Sequence, residues 1–252
     1  MSALPPLAQY ALRLGDDSLI LGQRLGEWCG RAPALEVDLS LANVALDLIG
    51  QATHFLGVAG KAEAKGRDAD ALAFHRDVLD FTNCLLVEQP NGDFAQTIAR
   101  QLLFSHFQEL QFDALTRSSD AGLAAIAAKA VKEVTYHARL ASDWVVRLGD
   151  GADESRARMI AGLDWMWRFA DELFVMDALD AKLLRYGIAI DKAALRPAWD
   201  ARIDAVLAEA TLQRPAARRP VLGGRAGHHS EHLGHLLSEM QFLQRAYPGA
   251  VW

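Results

Sequence analysis

Apolar residues recur with a helical period from the start of the chain. Leu7, Leu14, Leu21 and Trp28 stand seven apart, and Tyr10, Ala11 and Leu25 fill the same face. That spacing predicts a helix from about Pro6 to Trp28, stopped by Gly30 and Pro33. A second stripe, Leu41, Val44, Ala45, Leu48, Ala52, Phe55, Leu56 and Ala59, fades into the polar stretch Lys61–Asp70. Few residues join the two, so they should fold back as an antiparallel hairpin. From about Gly66 to Asn91 the pattern shows little internal period and reads as a long connection, closed by the turn Gln89-Pro90-Asn91-Gly92.

Asp93 then stands where a cap would start a third helix reaching about Thr116, and Asp120 where one would start a fourth. The fourth has the face Leu123, Ile126, Ala127, Ala130, Val134, His137, Ala141, Trp144 and Leu148, and ends at Gly149-Asp150-Gly151. A fifth, rich in Trp and Phe, is expected over about Glu154–Tyr186. Two more are expected over Pro197–Leu212 and Ser230–Arg245, with an Arg/Pro/Gly-rich segment at 214–227 between them. No β-type alternation of useful length interrupts this, so the chain is predicted all-α. Hairpin, long crossover, hairpin is the connectivity of a ferritin-like helical bundle. A single domain over 1–252 is expected, with a core bundle at about 6–148 and the fifth and C-terminal helices at about 153–252.

Composition narrows the function. A hydrophobic fraction of 51% leaves apolar residues available for an interface with another chain. The formal charge of −6 offers no basic field for a nucleic-acid backbone. The opening Met1-Ser2-Ala3-Leu4-Pro5-Pro6 lacks the basic flank and apolar core of a signal peptide, and no apolar run approaches membrane-spanning length. A cytoplasmic protein with no membrane and no nucleic-acid partner is expected. Cys29 and Cys84 make neither a disulfide framework nor a thiolate metal site.

Ferritin-like di-iron proteins carry a Glu on each of two helices and Glu-x-x-His on each of the other two, so that carboxylate and imidazole share a helix face. The residues three before the eight histidines are Gln51, Leu72, Leu103, Val134, Arg225, Ala226, His229 and His232, and none is acidic. Counting from the hairpin turns, Asp16 or Asp17 falls level with Asp47, and Glu133 opposite a window around Gln101 and Ser105. Three residues after Asp47 stands Gly50. Three after Glu133 stands Tyr136, with His137 one place on, and residues 94–108 hold no acid. Asp16, Asp47, Gln101, Glu133, Tyr136 and His137 therefore read as vestigial positions of a metal site, with no metal and no catalytic residue expected. Asp47 and Glu133, if they face inward, need partners, for which Arg100, Lys129 and Lys132 are the candidates nearby. The alternatives are a stand-alone ferritin-like metalloenzyme using Asp16, Asp47, Glu133 and His137, and a zinc face at His228, His232, His235 and Glu239. Against zinc, His228 precedes the expected helix start, with Ser230 as its cap, and Leu233, Leu236, Leu237, Met240 and Leu243 give that helix something to pack against. Gly223-Gly224-Arg225 reads as a turn.

Five blocks carry a resemblance that runs essentially end to end: Leu14–Gly30 (LGDDSLILGQRLGEWCG), Leu46–Ala52 (LDLIGQA), Leu86–Gln101 (LVEQPNGDFAQTIARQ), Lys129–His137 (KAVKEVTYH) and Gly223–Trp252 (GGRAGHHSEHLGHLLSEMQFLQRAYPGAVW). In these the chain resembles the C subunits of bacterial phenylacetyl-CoA epoxidases, multicomponent monooxygenases of aerobic phenylacetate breakdown. The resemblance implies a ferritin-like component without a working di-iron centre. It would pair with a homologous di-iron catalytic partner (the A subunit), with a small B subunit, and with a reductase component. The reductase would carry FAD and an iron–sulfur cluster and be fed by NADPH. The complex would add one oxygen atom of O2 to the ring of phenylacetyl-CoA. It further implies that this chain frames the CoA moiety at the subunit junction through Arg76, Asp77, Val78 and Leu79, and through Asp177, Ala178 and Leu179. In that role Arg76 would face a CoA phosphate, and Val78 and Leu79 would flank the pantetheine arm.

Overall fold

The structure is a computed structural model that describes residues 4–250. The reading of Met1–Ala3, and the last two residues of the distinctive C-terminal block, lie outside the described residues. Among those described the chain is all-helical and falls into two compact units, 1–89 with 223–252, and 90–222.

The first unit is built on the hairpin of α1 (Pro6–Gly26) and α2 (Leu35–Glu63). Pro6 begins α1 where its missing N–H costs nothing. From Ala8 to Leu25 every residue of α1 except Gln9 and Gln23 is buried, including Arg13, Asp16, Asp17, Ser18 and Arg24. A helix buried on all sides must find partners for such groups. On α2 the predicted stripe from Leu41 to Ala59 is buried. The opposite face leaves Leu35, Leu39 and Leu46 more than half exposed.

The stretch after α2 is a correction to the sequence reading. It holds α3 (Ala69–Phe74), a 3-10 turn at Val78–Asp80 and α4 (Leu85–Glu88), and Leu72, Phe81, Cys84, Leu86 and Val87 are fully buried. Its buried apolar residues sit in short separate clusters, each on a different turn, so no helical period announced them. The same unit is completed by a 3-10 turn at Gly224–Ala226, α10 (Glu231–Met240) and α11 (Phe242–Ala246). The expected single helix Ser230–Arg245 is broken at Gln241, whose side-chain amide donates to the carbonyls of Ala73 (2.9 Å) and Arg76 (3.0 Å).

The second unit packs α5 (Phe94–Leu115) against α6 (Ala121–Gly149), with α7 (Asp153–Trp167) and α9 (Arg196–Glu209) against both and α8 (Ala178–Arg185) between those two in the chain. The Asp93 carboxylate accepts the Gln96 N–H and that of Asp120 the Leu123 N–H, each at 2.9 Å, as the caps require. Gly162 lets α7 approach α5: a Cβ there would lie 2.9 Å from the Gln96 Cα. Trp199 anchors α9, fully buried, its indole N–H donating to the Leu103 carbonyl at 2.9 Å.

The long fifth helix expected over 154–186 is also corrected. It ends at Trp167, continues as a 3-10 turn over Ala170–Phe174, and restarts at Ala178. No proline or glycine marks the break. Asp177 and Asp180 form a reciprocal capping box that starts α8, and Asp180 is held in the interior by Lys192 at 2.9 Å.

Candidate functional site

Three carboxylates lie inside the first unit, and each meets a basic side chain from a distant part of the chain. Asp16, with no exposed surface, is gripped by the Arg76 guanidinium through both oxygens. Its Oδ2 also accepts the backbone N–H (2.9 Å) and hydroxyl (3.0 Å) of Thr82. Asp17 receives Arg225 in the same two-pronged way, at 3.0 and 2.6 Å, and accepts the Cys84 N–H at 2.8 Å. Glu88 accepts the side-chain amide of Asn83 (2.9 Å) and the N–H of Ser230 (2.7 Å), and faces Nδ1 of His229 at 2.7 Å. Ser230 thus begins α10, but its hydroxyl caps nothing; the Glu88 carboxylate takes up the N–H at the helix start instead. Arg24 adds a clip, donating to the Glu88 carbonyl at 3.1 and 2.9 Å and to the His232 carbonyl at 3.0 Å.

These pairs fasten the crossover and the C-terminal segment onto α1. The backbone is cut to fit: a Cβ on Gly224 would sit 2.2 Å from the Asn83 carbonyl oxygen, so no other residue brings Arg225 and His229 to this depth.

Two residues singled out for different reasons turn out to be partners. Asp16, a vestigial metal position, and Arg76, an expected CoA contact, form one buried pair. Arg76 is 3% exposed and lies 4.1 Å over the Phe81 ring, and its remaining N–H groups serve the carbonyls of Leu72 and Asp80. The guanidinium expected to face a CoA phosphate therefore points inward. Its neighbours point outward: Asp77 and Leu79 are exposed, and Asp77 accepts from Arg245 at 2.9 Å. Asp77 and Val78 line an open groove of about 550 Å³ with Gly234, Gln241, Phe242 and Arg245.

Asp47 is half-buried on α2, and Gly50 leaves only open space where a ligand side chain would stand. In the second unit Gln101 is buried, and its Oε1 finds no partner among the described residues. Glu133 is half-buried, Tyr136 exposed and His137 buried on α6. Of the cations expected to replace a metal, Lys129 and Lys132 are exposed and Arg100 donates to the Asn91 side chain at 2.6 Å. Among the described residues no three His, Cys, Asp or Glu side chains converge as a metal site would need. The residues present do not fit a di-iron centre: the Asp16 oxygens already serve four donors, and amide, glycine and tyrosine stand where acid and imidazole are required. In the C-terminal cluster His228 and His235 are exposed, while His229 belongs to the buried network. Asp177 is exposed and caps α8, with Ala178 exposed and Leu179 half-exposed beside it.

Sequence reasoning missed Arg225, His229, Glu88 and Asn83 as a set. The one signal was the place of Arg225, His229 and Glu88 in two of the quoted blocks; nothing local paired them.

The second unit holds a buried histidine of the opposite kind. His106 Nε2 lies 2.9 Å from the Ser142 hydroxyl, and burial, with the charge of Arg202, lowers its pKa to about 4. The unfolded chain takes up that proton near pH 6.5, so the contribution is complete above 6.5 and lost as pH falls toward 4. Over that window the unfolding free energy should fall more steeply in the unsubstituted chain than in His106→Gln, by up to about 3 kcal/mol. Parallel profiles in denaturant titrations would dismiss a buried neutral His106.

No helix among the described residues is long and apolar enough to cross a membrane. Compared with known proteins, residues 2–252 match the family described as phenylacetic acid catabolic protein. The chain is 51% identical over 246 residues, 98% of its length and 99% of the relative's, to the C subunit of the 1,2-phenylacetyl-CoA epoxidase of Escherichia coli (strain K12).

Proposed function

We propose that this chain, which belongs to the phenylacetic acid catabolic protein family, is a non-catalytic structural subunit of a multicomponent monooxygenase that epoxidises the ring of phenylacetyl-CoA. The name of the Escherichia coli relative supports the assignment to such a complex. The observation that carries the non-catalytic half is Asp16: its carboxylate is spent on Arg76 and Thr82 and has nothing left for a metal. In this reading the di-iron centre belongs to a homologous A subunit, a small B subunit joins the assembly, and electrons arrive from NADPH through the FAD and iron–sulfur cluster of the reductase. The exposed Leu35, Leu39 and Leu46 of α2 give this chain an apolar helical face for packing against such a partner. Contacts to the CoA moiety fall to the outward-facing Asp77, Val78 and Leu79 and to Asp177, Ala178 and Leu179, while Arg76 supports them from behind.

Elemental analysis of the chain purified alone, after growth with iron, tests this. Less than about a tenth of an iron per chain is expected, because too few donors remain free for a carboxylate-bridged site. About one to two irons per chain, lost in Glu133→Ala, would make it a stand-alone metalloenzyme instead. With the catalytic partner and reductase supplied, epoxidation should depend on this chain yet survive Glu133→Ala.

A further inference from the structure

His229 sits between two acceptors. Its Nδ1 is 2.7 Å from a carboxylate oxygen of Glu88 and its Nε2 is 2.9 Å from the Phe81 carbonyl oxygen. Neither side chain is reached by water: His229 is 1% exposed and Glu88 not at all. A neutral imidazole has one N–H and one bare lone pair, so either tautomer would press a lone pair against an acceptor. Only the imidazolium donates in both directions.

One arrangement with the same number of protons competes, in which Glu88 is the acid, donates to Nδ1, and leaves the ring neutral with its proton on Nε2. The surroundings decide against it. Asn83 and the Ser230 N–H both donate to the Glu88 carboxylate, and Asn83 shares with the ring the same Oε2, the oxygen that a carboxyl proton would have to occupy. Around the pair, α1 presents Asp16, Asp17 and Arg24, the crossover Arg76, and the C-terminal segment Arg225, with His228 and His232 adjoining in sequence. Asp16 with Arg76, and Asp17 with Arg225, nearly cancel, leaving Arg24 on the Glu88 carbonyl and Glu88 itself as the counter-charge of the ring.

We propose that His229 is a buried imidazolium and that, with Glu88, it forms a proton-operated clasp holding the C-terminal segment from Gly223 onward against the crossover. The clasp sits at the start of α10, and α10 and α11 with Asp77 and Val78 form the groove, so the clasp, with Gln241 and Arg245, ties the walls of that groove together. The clasp stands whether or not the chain serves an epoxidase.

Burial lowers the proton affinity of the ring, but the hydrogen bonds to Glu88 and the Phe81 carbonyl and the charges of Glu88 and Asp16 outweigh it, so the pKa is raised above 6.5. A raised folded pKa stabilises fully below the unfolded value and is lost as pH climbs through the folded one. The C-terminal segment should therefore loosen in alkali and not in mild acid.

Long-range proton–nitrogen NMR of the full ¹⁵N-labelled chain reads the ring directly, with His229→Gln assigning the signal. At about pH 7.5 the His229 ring is expected doubly protonated. Amide exchange over 223–246, corrected for base catalysis, should then accelerate by up to about tenfold per pH unit from about pH 6.5 to the ring's midpoint, as loss of one proton requires, and level off above it. In Glu88→Gln the ring should titrate lower and the segment exchange fast throughout. A neutral ring at about pH 7.5, or exchange that ignores the ring's titration, overturns the proposal. The exchange reading comes from the unsubstituted chain, so it stands even if a variant fails to fold.

Discussion

Replacing Arg76 by Ala is expected to cost about 3–5 kcal/mol of stability, because it strands a carboxylate in the interior. Asp16 has no exposed surface, and without the guanidinium the groups still hydrogen-bonded to it among the described residues are the N–H and hydroxyl of Thr82. The loss should exceed that of any exposed pair in the molecule. Arg117 with Asp113, for instance, is 69% and 66% exposed and should contribute close to nothing. The cost belongs to the broken pair and not to the pair itself. In the double variant Asp16→Leu with Arg76→Met most of the stability should therefore return, since a buried ion pair seldom outperforms apolar residues of similar volume. Denaturant unfolding followed by circular dichroism measures all three. An Arg76→Ala loss within about 0.5 kcal/mol would mean that Asp16 finds water, and that the cation does not stand in for a metal.

The second large effect lies in the other unit. Trp199→Ala should destabilise by about 3–5 kcal/mol, since it empties a fully buried site of an indole. The ring packs edge-on to Phe174 at 5.2 Å and tilted to Trp167 at 5.9 Å, and holds α9 to α5 through the Leu103 carbonyl. Trp199→Phe separates the two contributions: it keeps most of the apolar contact, loses the hydrogen bond and should cost only about 1–2 kcal/mol. If Phe proves as damaging as Ala, the hydrogen bond and not the packing carries the anchor.

Much of the architecture could be read before any coordinates. The heptad Leu7, Leu14, Leu21 marks α1, and the stripe from Leu41 to Ala59 is the buried face of α2. Asp93 and Asp120 cap α5 and α6 as their positions predicted. These features depend on neighbours within one helical turn, and helix formation is governed by such neighbours. The shortfall of metal ligands was legible for a similar reason, because Glu-x-x-His is a relation between residues three apart on one helix. Its absence needs no knowledge of the fold.

The long helix expected at 154–186 shows where local reading fails. No proline or glycine stands between Trp167 and Ala178, yet the chain breaks there because Asp177 caps a new helix and Asp180 must reach Lys192. The charge partners show the same more sharply. Arg100, Lys129 and Lys132 are the cations that the sequence places nearest to Asp47 and Glu133, and it names none for Asp16, Asp17 or Glu88. The partners found come from irregular segments: Arg76 is 60 residues from Asp16, Arg225 is 208 from Asp17, and His229 is 141 from Glu88. Sequence by itself therefore determined the helices, their caps and the missing ligand spacing, each set by contacts within a few residues. Only the tertiary structure decided which cation neutralises which acid. A charge buried in a low-dielectric interior takes whatever opposite charge the fold delivers to it, and that delivery leaves no period in the chain.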